Sequence, residues 1–176
     1  MLASLLLGVS MTMRIVPDVD CAASFAKHYR SDLALSYEAF DQTEGSGFRV
    51  LAAQGCEREA ADLIVEYIAA NKAAQRSLRW HVAQLRATHG DVPRAIAYAR
   101  SVLADAEDPA ASPLRWNDYV LATIAFLERD KAALVRHRDN VAAGVDAHPG
   151  NALNLKLLDK LIARFGSSYA EATAAD

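Results

Sequence analysis

Cysteine is scarce in this chain of 176 residues: there are two, Cys21 and Cys56. Their spacing makes neither a CxxC redox pair nor a zinc ligand set. Glycine (8) and proline (5) are also few, and the abundant alanine tilts the chain toward helix. Clustered positive charge is missing too. The formal charge is -3 with a pI near 5.9, and Lys and Arg are scattered, which removes the electrostatic basis for holding nucleic acid. No apolar run reaches the roughly 20 residues that a bilayer-spanning helix needs. No GxSxG elbow and no HExxH pair occurs, and Gly45 to Gly47 is too short to cradle a phosphate. No catalytic residue, cofactor or metal is therefore expected, and an enzyme is the less favoured class.

What is present is a hydrophobic share of 52% against 23% charged residues. That is enough for one domain with a real core and too little chain for two. The first residues, MLASLLLGVSMT, have the length of the apolar part of a secretory signal, yet no Lys or Arg precedes them and no small-x-small site follows. Localisation stays open, with the cytoplasm favoured over export. The chain divides into an N-terminal extension or signal segment (1–20), a single helical domain (21–166) and a tail (167–176). In an exported chain, a disulfide between Cys21 and Cys56 would tie the N-terminal segment to the first long helix and remove entropy from the unfolded state. In the cytoplasm the two would be buried thiols.

Apolar residues set the helices. Phe25, Tyr29, Leu33, Tyr37 and Phe40 recur at helical spacing. Asp41 to Gly47 reads as a loop, either a plain connector or an ordered segment able to set Asp41, Gln42 and Thr43 beside a groove. A short helix is predicted from Phe48 to Gln54 and a long one from Glu57 to Asn71, with Gly55 between them as a left-handed stop. Ala73 to His89 follows, with Gly90 as stop and Asp91 as cap for a helix with Pro93 in its first turn. Pro109, Ser112 and Pro113 break the chain before a helix from Leu114 to Glu128. Asp130 then caps Lys131 to Ala147, the HPGN stretch turns, and Ala152 to Phe165 closes the domain. The final SSYAEATAAD lacks a periodic face and is expected to fray.

Gly55 and Ala60 are echoed 35 residues later by Gly90 and Ala95, and Asp130 with Ala133 repeats the pattern with Arg129 in the glycine position. With these residues the stretch from about 46 to 150 resembles the tetratricopeptide-repeat group. Arg79, Arg86 and Ala99 depart from its aromatic positions, and the step to the third unit lengthens. The resemblance implies an all-α, right-handed α-α superhelix of three degenerate hairpins, with an N-terminal helical segment and a C-terminal capping helix. It further implies a noncatalytic module that binds a protein or peptide on its concave face, with Arg49, Trp80, Gln84, Thr88, Arg115, Asp118 and Ala122 along the groove. Trp80 is the sharpest of these, since tryptophan is enriched at binding hot spots. The competing assignment makes Trp80 and Trp116 core residues, and the exposure of Trp80 separates the two. Another function class is a small-molecule or lipid binder, or an enzyme, with a pocket near Trp80 and His81. A third is a self-associating unit, a homodimer through an apolar stripe around Leu155 and Leu158.

Overall fold

The computed structural model describes residues 19–108 and 113–175. The apolar N-terminal run, Pro109 and Ser112 lie outside the described residues. Among the described residues the elements are helical and no strand occurs. They are α1 (Cys21–Asp32), a π-helical turn (Glu38–Gln42), α2 (Phe48–Ala53), α3 (Glu57–Asn71), α4 (Arg76–His89), α5 (Val92–Arg100), α6 (Trp116–Leu127), α7 (Lys131–Ala142), a 3-10 turn (Val145–Ala147), α8 (Pro149–Ala163) and α9 (Tyr169–Thr173).

Short turns fold neighbouring helices back on each other. Gly90 sits at φ 91°, where glycine meets no Cβ penalty, and the Asp91 N–H returns to the Arg86 carbonyl at 2.8 Å to close α4. Asp91 then accepts from the Arg94 amide at 3.4 Å, and Asp130 accepts from the Ala133 amide at 2.9 Å. Arg129 takes the left-handed conformation (φ 64°) that glycine takes in the earlier turns. A non-glycine residue there costs about 1 kcal/mol. The side chain is held in compensation, its Nη1 donating to the Ser167 carbonyl at 2.8 Å and its guanidinium lying over Phe126. Ala60, Ala95 and Ala133 are all buried where helices approach closely.

α4 is the wall shared by two apolar clusters. Leu78 and Val82 face Phe40, Phe48, Leu51, Leu63, Ile64 and Tyr67. Trp80, Ala83 and Ala87, on another face of the same helix, join Tyr119, Phe126, Leu134, Leu158, Leu161 and Tyr169. The start of α4 lies beside the start of α6, and the end of α4 beside the end of α6. The two helices therefore run the same way, with α5 returning in sequence between them.

The C-terminus corrects the expectation of fraying. Ser168 and Glu171 form a capping box for α9, whose Tyr169 and Ala172 are buried. Two apolar residues at a spacing of three give a face too short to register as periodic. The HPGN turn is also helical from Pro149, with His148 as its cap, because a first-turn proline loses no hydrogen bond.

Cys21 and Cys56 are joined in a disulfide that links the first residue of α1 to the cap of α3, across a separation of 35 residues. Closing a loop of that length in the unfolded chain is worth up to about 4 kcal/mol. Cys21→Ser is expected to lower the denaturation free energy by up to that amount relative to the oxidised protein and to speed amide exchange in α1 before the rest. Unchanged exchange in α1 would show that packing alone holds it.

Candidate functional site

The residues placed along a groove by sequence do not share one surface. Trp80 is 5% exposed, edge-on to Trp116 and Tyr119 at 5.5 and 5.3 Å between ring centres. It is a core residue, which corrects its place on the groove. Ala122 is fully buried. Asp118 turns toward α7, where its Oδ1 is 2.8 Å from His137 Nδ1 and accepts from Asn140 Nδ2 at 2.9 Å. Arg115 precedes α6, and its amide donates to the Oδ1 of buried Asn151 at 2.8 Å. Thr88 bonds back to the Gln84 carbonyl within α4. Leu158 is buried and Leu155 packs against the core, leaving Leu153 as the exposed leucine of α8. The apolar stripe expected for a homodimer is therefore turned inward.

α9 explains part of this redistribution. It packs on α4, and Tyr169 sits against Phe126 at the C-terminal ends of α4 and α6. Burial pushes the Tyr169 hydroxyl up to about 12, opposed in part by a hydrogen bond with Gln84. Burial likewise raises Tyr119 well above the usual tyrosine range. The face shared by α4 and α6 is thus covered by the chain's own C-terminal helix at one end.

The other end is open. Between the starts of α4 and α6 lies a cleft of about 420 Å³ lined by apolar Leu114, Trp116, Ala104 and Ala106 and by polar Arg76, Ser77, Glu107 and Asp108. The Ala104–Glu107 wall is tied to the start of α6. Asn117 accepts from the Ala104 amide at 2.8 Å and donates to the Ala104 carbonyl at 2.9 Å, and Glu107 accepts from the Asn117 amide at 2.7 Å. The half-buried Trp116 donates its indole N–H to the Val102 carbonyl at 2.9 Å. With the polar handle occupied, the indole offers the cleft apolar surface.

Ser77 links this cleft to a polar hub. Its Oγ is 2.8 Å from Tyr37 Oη and 3.4 Å from Oδ2 of Asp41, which is fully buried in the π-helical turn. Gln42 Nε2 also donates to Asp41 Oδ2. Arg49 stacks on Phe48 and donates from Nε to the Asp41 carbonyl at 2.7 Å. His81 Nε2 lies 3.2 Å from Asp41 Oδ1, close enough for an ion pair but outside hydrogen-bond alignment, so Oδ1 lacks a hydrogen bond. Burial works to raise the Asp41 carboxyl, but the imidazole, Tyr37 and Gln42 together outweigh it and hold it below the usual carboxylate range. His81 Nδ1 is 3.3 Å from Gln84 Oε1. The structure therefore gathers Arg49, Asp41, His81 and Gln84 into one network, while Trp80, Arg115 and Asp118 belong elsewhere.

Among the described residues no group of three or more His, Cys, Asp or Glu could hold a metal ion, and no helix is long and apolar enough to cross a membrane. The sequence offers a core position for Trp116 as one alternative and does not single out Arg76 or Ser77. Pro113 does not open α6 as the cap-and-proline pattern suggests: residues 113–115 are non-helical, and the helix begins at Trp116 with Arg115 as its cap. No family model matches the chain, and neither does any curated protein or solved structure.

Proposed function

We propose that the protein is a noncatalytic binding module of tetratricopeptide-like design, in which α4–α5 and α6–α7 are successive hairpins and a partner peptide enters the cleft between the starts of α4 and α6. The observation that carries this reading is the cleft itself: a half-buried tryptophan and small apolar residues beside polar groups, with the Ala104–Glu107 wall already tied to the start of α6 by hydrogen bonds. Such a surface loses little entropy on binding. The superhelical stacking is part of the same proposal, supported by the parallel course of α4 and α6 and by the repeated Gly90–Asp91 and Arg129–Asp130 turns.

A photo-crosslinking amino acid at Ala106, an exposed residue of the cleft lining, is expected to give a discrete protein adduct in the native cell, and the same probe at exposed Ala132 on α7 is expected to give none. Absence of an adduct from Ala106, or the same adduct from both positions, would overturn the assignment.

A further inference from the structure

We propose a second site, for a phosphoryl or sulfuryl oxyanion, in the shallow hollow where the start of α3, the end of α4 and the start of α5 converge. Arg58, Arg86, His89, Gly90, Asp91 and Arg94 line this hollow of about 370 Å³. Three arginines thus line one hollow on a protein whose formal net charge is -3.

Each guanidinium is steadied by a carboxylate and keeps a donor unused. Arg58 directs both Nε and Nη2 to Glu59 Oε1, at 2.9 and 2.6 Å, leaving Nη1. Arg94 directs Nη1 to Asp91 Oδ2 at 2.8 Å, leaving Nη2. Arg86 directs Nη2 to Asp62 and leaves Nη1, while its Nε is buried with no acceptor. Arg86 is the anchor, because it is 6% exposed and most of its charge is already out of water. A guanidinium has five N–H donors in a rigid plane, so one carboxylate does not exhaust it.

The three carboxylates balance the three arginines in formal charge, yet they occupy only one edge of each. They fix the cations and leave the remaining edges for another acceptor. Cations contributed by three separate elements suit a tetrahedral oxyanion with several acceptor oxygens better than a planar carboxylate, which one Arg can hold by itself. Arg58 and Arg94 are largely exposed, so binding is weak and screened by salt. The hollow exceeds the needs of one inorganic ion, and a free oxyanion and a small phosphomonoester share the recognising chemistry.

The test is an amide NMR titration of the full chain with inorganic phosphate, sulfate and glycerol phosphate, each against chloride at matched ionic strength. Saturable shifts at Gly90 and Asp91 with millimolar midpoints are expected, lost at least tenfold in affinity in Arg58→Gln/Arg94→Gln. Both positions are exposed, and the variant's melting curve checks its fold. Tighter binding of the ester than of inorganic phosphate supports the site and assigns it to phosphomonoesters; the reverse supports it as a site for the free ion. Shifts that match the chloride control, or that persist unchanged in the double variant, overturn it.

Discussion

Trp80→Ala is expected to cost about 3 to 5 kcal/mol of stability, the range for emptying a large aromatic site in a core. Trp80 packs edge-on against both Trp116 and Tyr119, and the three rings fill the space between α4 and α6. Truncation leaves a cavity where two helices meet, and neither can close it without losing its contacts with α5 or α7. Trp80→Phe keeps an aromatic ring and should cost clearly less. Equilibrium denaturation in urea measures both. A near-neutral Trp80→Ala would return this residue to the surface, where a binding role was first expected. The same variant carries a consequence for the proposed cleft, because Trp116 rests on Trp80. Loss of crosslinking from Ala106 in Trp80→Ala would then be an indirect effect, to be read only beside its stability.

Gly47→Ala is the second large effect, expected at about 3 to 5 kcal/mol from backbone strain combined with overpacking. Gly47 lies at φ 55° and ψ -143° before α2, a region that residues with a Cβ rarely adopt. An added Cβ would stand 2.1 Å from the Phe40 carbonyl oxygen and 2.8 Å from both its carbonyl carbon and its Cα. Backbone cannot give way as a flexible side chain does. Relief requires moving the π-helical turn, and that turn carries fully buried Phe40 and Asp41. The variant should therefore loosen the Asp41–His81 pair along with α2, seen as lost protection of the residues flanking the loop. Gly45→Ala is the control: its φ is also positive, but nothing lies within 4 Å of an added Cβ, so the strain acts without the clash. Equal losses at the two positions would sink the steric argument.

The chain order of the helices was legible because it depends on neighbours in sequence. Apolar spacing, the stop at Gly90 and the caps Asp91 and Asp130 act within a few residues, so the bounds of α3 and the start of α7 fall where they were read. For α9 only the local Ser168–Glu171 capping-box spacing was legible, and not the packing that holds the helix in place. Its stability comes from burying Tyr169 against α4 and Phe126, contacts made by residues far away in the chain.

The candidate sites divide on the same physical line. Composition alone set an all-helical chain without long apolar spans. Local spacing marked the hairpin turns, and it flagged Asp41 and His81 as residues to inspect without connecting them. Tertiary packing alone decided that Trp80 faces inward while Trp116 lines a cleft, since which side of an amphipathic helix meets a neighbour depends on where that neighbour sits. It likewise made a cationic hollow from Arg58, Arg86 and Arg94, which appear as scattered charges along the chain. Charge adds up through space, and sequence distance does not measure it.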